Sequence, residues 1–128
     1  MFKHLNTAYR LKIAFDFDGT LTEPDVFAFA RRLVLCQHDV WIMTARMEID
    51  DEYLAQCEHF GVIPKGNRNA DLFEVAEKLG IPKEKIIFTN LLDKSTFYQE
   101  HQFDLLFDDD DMWHCNPICE AGGVAVKV

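Results

Sequence analysis

The chain has 128 residues, of which 48% are hydrophobic, and a formal net charge of −9 at pH 7. This length suffices for one α/β domain but not for two, and the apolar fraction excludes a largely disordered protein. The negative charge repels phosphate backbones, which disfavours non-specific binding to duplex DNA. No segment approaches the ~20 apolar residues of a membrane span, and no secretory signal is recognisable. We therefore expect an N-terminal arm over residues 1–10 and one domain over residues 11–128, in a soluble, cytoplasmic protein without membrane association.

Five apolar segments predict the strands of one buried sheet. They cover residues 11–17, 39–44, 85–89, 104–107 and 123–128. Segments with helical spacing of apolar residues separate the first four strands, and they begin near Pro24, near Ile49, at Asn69 or Asp71, and at Asp93. Helical crossovers imply a parallel sheet with right-handed connections and helices on its faces. The predicted fold class is α/β, a Rossmann-like three-layer sandwich around a five-stranded parallel sheet.

Polar residues stand at or just beyond the ends of four of these strands. In chain order they form the groups Asp16-Phe17-Asp18-Gly19-Thr20, Thr44-Ala45-Arg46, Asp93-Lys94 and Asp108-Asp109-Asp110-Asp111. Open parallel sheets bind ligands at the carboxyl ends of their strands, so these groups are expected to converge on one rim. Clustered carboxylates suit Mg²⁺, a hard cation that prefers oxygen ligands. The sequence therefore predicts a magnesium site at this rim.

The order of these motifs resembles that of the haloacid dehalogenase (HAD) superfamily. Residues 16–22 (DFDGTLT) are similar to its DxDGT first motif, Thr44 to its second, Lys94 to its third, and Asp108-Asp109 to its acidic fourth motif. The resemblance covers roughly residues 12–128. It implies a HAD-type phosphatase, a Mg²⁺-dependent phosphomonoester hydrolase that works through an aspartyl-phosphate intermediate. No insertion is long enough for a cap domain, so the implied site is open.

Chemistry and resemblance together suggest a role for each candidate residue. Asp16 is the expected nucleophile, and Asp18 the acid that protonates the leaving oxygen and then the base that deprotonates water. Lys94 is expected to neutralise charge on the phosphoryl group. Further phosphate or substrate contacts are expected from Gly19, Thr20, Thr44 and Arg46.

The resemblance also implies a set of metal ligands. They are Asp16, the backbone carbonyl of Asp18 and one acid of the fourth motif. Asp109 is the first choice for that acid and Asp108 the second. Met112 and Trp113 stand where the family often has a further acid. Asp110 and Asp111 are left either as substitutes for it or as residues that face water.

The substrate is expected to be a phosphorylated molecule, with a nucleotide or a nucleic-acid end as candidates. Residues 93–96 and 104–109 are similar to HAD deoxyribonucleotidases, and Thr44-Ala45-Arg46 resembles polynucleotide 3′-phosphatase domains. Residues 63–68, with Lys65 and Arg68, form the one short segment that suggests a substrate flap. A second copy of the chain covering the open site is a further expectation.

Other interpretations of the same residues stay open at this point. Asp16 and Asp18 could form a turn before a helix, Thr44 could cap a helix, Lys94 could be a solvated charge, and the four acids could be a solvated loop. A receiver domain also uses acids, Thr and Lys, but its acids precede the Thr and Lys in the chain. A catalytically idle HAD-like binding or assembly module is the main alternative function, and phosphoryl transfer to an acceptor other than water is another.

Overall fold

The computed structural model describes residues 10–63 and 69–128. Its centre is a five-stranded, all-parallel sheet with the strand order β3-β2-β1-β4-β5. The strands are β1 (Lys12–Phe15), β2 (Asp39–Thr44), β3 (Ile86–Phe88), β4 (Leu105–Asp108) and β5 (Ala125–Lys127). The sheet thus confirms the predicted α/β class and strand number. Most of the proposed N-terminal arm, together with Lys65 and Arg68 of the suggested flap, lies outside the described residues.

Five α-helices follow or connect the strands. They are α1 (Pro24–Leu35), α2 (Asp51–Phe60), α3 (Ala70–Leu79), α4 (Lys94–Glu100) and α5 (Asn116–Glu120). Pro24 occupies the first turn of α1, and Gly61 and Gly80 end α2 and α3 in the left-handed conformation that glycine adopts without strain. None of the described helices is both long enough and apolar enough to cross a bilayer.

Helices cover both faces of the sheet. On one face, α1 and α3 pack on side chains that include Ile13, Phe15, Ile42 and Phe107. On the other face, α4 and α5 pack on a second core that includes Met43, Ile87 and Leu106. Near-continuous apolar strands are what a sheet buried on both faces requires. The result is the three-layer arrangement expected from the sequence.

The strand order places a crevice between β1 and β4. The chain proceeds outward from β1 through β2 to β3, and then returns to place β4 against the other side of β1. Phe15 pairs with Phe107 at the carboxyl ends of these two neighbours. Such a change of direction is where open α/β sheets bind ligands. Asp16 and residues 108–111 emerge at this point.

Two local elements differ from the sequence prediction. The first strand ends at Phe15 rather than Phe17, because the chain enters a wide turn at Phe17–Leu21 in which Gly19 has a φ of 75°. After β4, a second wide turn at Asp111–Cys115 leads directly into α5, where no helix was predicted. Both turns lie beside the crevice. Their irregular backbone bends the chain around the carboxyl ends of β1 and β4.

Candidate active site

One buried ion cluster joins the ends of β1 and β4 to the start of α4. The ammonium of Lys94 lies 2.7 Å from Asp16 Oδ1 and 2.7 Å from Asp108 Oδ2. The Lys94 and Asp108 side chains are 0% exposed, and that of Asp16 is 8% exposed. Lys94 is therefore not a solvated surface charge, and the acidic segment is not a fully solvated loop. One cation neutralises two carboxylates away from water.

Burial gives the two acids of this cluster different proton affinities. Burial raises the pKa of Asp16 to about 6; Lys94 opposes this change and the charge of Asp108 adds to it. Burial also acts to raise the pKa of Asp108, but the contact with His114 and the charge of Lys94 outweigh it and lower the pKa to about 2. The pKa values of two neighbouring carboxylates that share one ammonium group move apart in this way. Without an ion, a proton binds Asp16 first.

A third carboxylate completes a group that could hold a cation. Asp16, Asp108 and Asp109 each offer an oxygen, and the three oxygens lie within 4.8 Å of one another. Asp16 and Asp109 are thus close enough to share one ion. Exposed acids often cluster without an ion, but two of these three are buried. The all-oxygen donor set at a partly open site fits Mg²⁺.

The surroundings of the two fourth-motif acids favour Asp109 as the ligand. Asp108 Oδ2 contacts Lys94 and lies 3.0 Å from His114 Nδ1, while Oδ1 accepts a hydrogen bond of 3.0 Å from the Asp110 amide. Both oxygens of Asp108 therefore have protein partners. Asp109 is exposed, and its carboxylate rests against Gly19, where a Cβ would overlap Asp109 Oδ2. Because glycine has no Cβ, the Asp109 carboxylate can occupy this position.

A second ion cluster stands at the outer edge of the site. Arg46 donates to Asp18 from Nε at 2.9 Å and from Nη2 at 2.8 Å. It also donates to Asp71, at the start of α3, from Nη1 at 2.7 Å and from Nη2 at 2.9 Å. Hydrogen bonds to these two carboxylates raise the pKa of Arg46, and the bond with Arg46 lowers that of Asp71. We call Arg46, Asp18 and Asp71 the arginine clamp.

Three predicted substrate contacts have different partners in the structure. Arg46 holds protein carboxylates, because the turn after β1 brings Asp18 into reach of its guanidinium. Thr20 is buried and donates to Asp16 Oδ2 at 3.2 Å, so its hydroxyl orients the Asp16 carboxylate. The amide of Gly19 donates to Thr22 Oγ1 at 3.1 Å, which closes the turn. Their roles as substrate contacts remain predictions.

Thr44 keeps the position expected of it. It is the last residue of β2, is 1% exposed, and accepts a hydrogen bond of 3.2 Å from the Arg46 amide through Oγ1. Its hydroxyl hydrogen takes no part in that bond. Thr44 therefore lies at the carboxyl end of the strand next to β1, and its hydroxyl can still donate a hydrogen bond.

Three residues of the site had no motif that could identify them. Asp71 belongs to the arginine clamp, although its sequence position indicates only the start of a helix. His114 was assigned to the structural or exposed histidines, yet its Nδ1 contacts Asp108. Lys127 pairs with Asp108 across β4 and β5, and its ammonium lies 3.4 Å from Asp111 Oδ2. Parallel pairing of the last strand could have suggested Lys127; no local signal points to the other two.

The two clusters border one open cavity of about 480 Å³. Asp16, Asp18, Asp109, His114 and Lys127 are among its lining residues. Small-molecule sites commonly have volumes of about 300–1,000 Å³. The cavity is therefore large enough for a phosphate ester, and no described segment closes it.

Neither a protein-family model nor a curated protein gives a significant match to the chain.

Proposed function

We propose that this chain is a Mg²⁺-dependent phosphomonoester hydrolase of the HAD type, with Asp16 as its nucleophile. The observation that carries the proposal is the meeting of Asp16, Asp108 and Asp109 with the buried Lys94 in the crevice between β1 and β4. Carboxylates alone would repel a phosphate dianion. A divalent ion together with an ammonium group removes that repulsion and leaves one carboxylate to react.

In the first step, an Asp16 oxygen attacks phosphorus while the bond to the ester oxygen breaks. Lys94 is 2.7 Å from Asp16 Oδ1, and Thr20 Oγ1 is 3.2 Å from Oδ2, so both carboxylate oxygens are oriented. Bound Mg²⁺ would supply positive charge next to the phosphoryl oxygens. The product of this step is an aspartyl phosphate, which divides a slow hydrolysis into two easier reactions.

Asp18 is the proposed acid and base. It donates a proton to the departing alkoxide and then accepts one from the water that releases phosphate from Asp16. Both oxygens of Asp18 accept hydrogen bonds from Arg46, so Asp18 has to leave the arginine clamp before it can exchange a proton with the leaving oxygen. A phosphate dianion offers Arg46 another bidentate partner, which would free Asp18 when substrate binds.

The second candidate function is a binding or assembly module without turnover. The arginine clamp is the observation that favours it, because Arg46 uses both sides of its guanidinium on protein carboxylates. If the clamp does not open, both oxygens of Asp18 stay hydrogen-bonded to Arg46 and cannot reach a leaving oxygen. Such a protein would bind Mg²⁺ and a phosphorylated ligand without hydrolysing it.

The deciding experiment measures phosphate release from p-nitrophenyl phosphate with and without Mg²⁺. We expect Mg²⁺-dependent turnover by the wild type and a loss of at least about a thousandfold in kcat for Asp16→Asn. Glu77→Gln, which also neutralises one carboxylate but lies exposed on α3, is the matched control and should retain activity.

Two results would contradict the proposal. Equal turnover by wild type and Asp16→Asn would remove Asp16 from the chemistry. Mg²⁺ binding by calorimetry without turnover of any phosphomonoester would favour the binding module instead.

A further inference from the structure

Large apolar side chains stand in water along the rim of the candidate site. Leu91 is 86% exposed, Leu92 63%, Met112 68% and Trp113 70%. The first two follow β3 and the last two belong to the turn after β4. Leu91, Leu92 and Trp113 line one cavity beside the site, and Met112 lines the acidic cavity itself. A single exposed apolar residue needs no explanation, but a group of them beside a polar site is typical of a ligand-binding surface.

The segment with Leu91 is held firmly even though its side chains are exposed. Asn90 and Leu91 both have positive φ, of 54° and 64°, a conformation that disfavours residues with a Cβ. The Leu91 amide donates to the Ala45 carbonyl at 2.9 Å, and the Leu92 amide to the Thr89 carbonyl at 2.9 Å. These backbone hydrogen bonds therefore hold the strained segment in place and keep the Leu91 side chain exposed to solvent.

The turn with Trp113 is similarly braced. The Trp113 amide donates to Asp110 Oδ1 at 2.9 Å, and the Cys115 amide to the Asp110 carbonyl at 3.0 Å. The backbone of Trp113 is thus bonded to Asp110, the residue next to the proposed metal ligand Asp109. Its indole is presented at the site without being packed into the core.

These side chains border a groove of about 490 Å³ that continues the acidic cavity. Leu91, Leu92 and Trp113 line the groove, and Ala45, Asp110 and His114 line both spaces. Among the described residues, the groove lining includes no lysine or arginine, whereas Asp93 and Asp110 contribute carboxylates. Its charge repels anions, and its apolar walls favour a flat, uncharged group.

We propose that this groove binds the leaving group of the substrate, and that this group is a flat, uncharged aromatic ring system on the alcohol of a phosphate monoester. The proposal rests on the proposed function, since it takes the acidic cavity as the phosphate site. Nucleosides and simple aryl alcohols share this chemistry. A long nucleic-acid strand does not, because its further phosphates would lie against Asp93 and Asp110.

The test compares esters that differ in the group expected to occupy the groove. Ribose 5-phosphate and a nucleoside 5′-monophosphate release the same kind of primary alcohol and differ only in the base. We expect kcat/KM to be about ten- to a hundredfold higher for the nucleotide, the range of stacking on an aromatic side chain. Benzyl phosphate tests an aromatic ring without a sugar. A 5′-phosphorylated oligonucleotide tests a leaving group that carries further negative charges.

Variants assign the effect to the groove. Trp113→Ala should bring the ratio of nucleotide to ribose 5-phosphate turnover close to one, and Trp113→Phe should keep most of it. Phe60→Ala is the matched control, because Phe60 is 73% exposed on α2 and lines neither space. In the inactive Asp16→Asn protein, quenching of Trp113 fluorescence by the nucleoside monophosphate reports binding directly and should vanish in Trp113→Phe.

The outcomes separate this inference from the proposed function. Equal kcat/KM for ribose 5-phosphate, benzyl phosphate and the nucleotide would overturn the proposal that the groove binds the leaving group. It would not affect the proposed hydrolase function. A preference for benzyl phosphate over the nucleotide supports the groove and selects simple aryl esters. Oligonucleotide turnover faster than that of the mononucleotide would also overturn the proposal that the groove binds the leaving group.

A dimer that depends on Trp113 in sedimentation velocity, without a change in the substrate ratio, would overturn the same proposal, because the groove would then be a contact between copies. Absence of all hydrolysis overturns the proposed function and, with it, the assignment of this groove to a leaving group.

Discussion

The site contains two ion clusters with the same balance of charges but different exposure to water. Each has one cation between two carboxylates: Lys94 between Asp16 and Asp108, and Arg46 between Asp18 and Asp71. All three side chains of the first cluster are at most 8% exposed. In the arginine clamp, by contrast, Asp18 and Asp71 are 60% and 57% exposed.

This difference decides what each cluster can do. Charges inside the protein interact strongly and shift each other's pKa, whereas water screens the same charges at the surface. The Lys94 cluster is therefore a fixed arrangement in which a proton or a metal ion has a large effect. The arginine clamp is held by weaker, screened contacts, and under the proposed function a substrate phosphate opens it at small expense.

The largest expected effect comes from removing the cation of the buried cluster. Lys94→Met keeps most of the side-chain volume but leaves Asp16 and Asp108 without a counter-charge. We expect the free energy of unfolding at pH 7 to fall by about 3–5 kcal/mol, measured by urea denaturation. Arg46→Met removes the cation of the clamp and should lower it by only about 1 kcal/mol, since its partners are largely exposed. Equal losses in the two variants would show that burial does not distinguish the clusters.

An intermediate effect is expected from removing the charge of Asp16, the proposed nucleophile. Because folding raises the pKa of Asp16 to about 6, the native state binds a proton more tightly than the unfolded chain does. Stability from this group is thus present below about pH 4 and is lost as the pH rises through 6. Asp16→Asn should therefore be more stable than the wild type at pH 7.5 in EDTA, by up to about 3 kcal/mol, with little difference at pH 4.

Urea denaturation at both pH values checks this prediction. Saturating Mg²⁺ should stabilise the wild type more than the variant, because the ion binds the charged carboxylate. Asp108→Asn provides the contrast: its pKa is lowered to about 2, so its charge stabilises the protein above about pH 4 and the substitution should destabilise it at pH 7.5. A wild type that is the more stable protein at pH 7.5 in EDTA would show that Asp16 gains more from Lys94 than it loses by burial.

The smallest expected effect concerns the residue that lies between the clusters. Gly19 follows Asp18 and makes room for the Asp109 carboxylate. Gly19→Ala should lower Mg²⁺ affinity by about tenfold or more in titration calorimetry, because Asp109 has to move. Gly61→Ala introduces the same left-handed strain at a φ of 67°, with nothing within 4 Å of the added Cβ. It should destabilise the fold comparably and leave Mg²⁺ affinity unchanged; equal affinities for both variants would exclude Asp109 as a ligand.

Part of the site could be predicted because it depends on local patterns and on topology. β2 was predicted with its exact bounds, and Asn69 was recognised as a candidate start of α3. Placing Asp16, Lys94 and the acids after β4 on one rim required only that the strands be parallel. The meeting of Lys94 with both Asp16 and Asp108 follows that expectation closely.

Other parts could not be predicted because they depend on the paths of loops and on side-chain orientation. Nothing near Arg46 indicates that it bonds to Asp18, 28 residues before it, and to Asp71, 25 residues after it. The wide turn after β1 brings the Thr20 hydroxyl to Asp16, a contact that no local pattern indicates. His114 reaches Asp108 only because the chain turns sharply after β4.

By itself, the sequence determined which chemical groups stand at the strand ends and in what order, since apolar runs and helical spacing act over short distances. Only the tertiary structure decided how those groups pair, which acid is left free for a cation, and which charges are buried. The physical reason is that the strength of an ionic contact depends on distance and exposure, and both arise when segments far apart in the chain pack against each other.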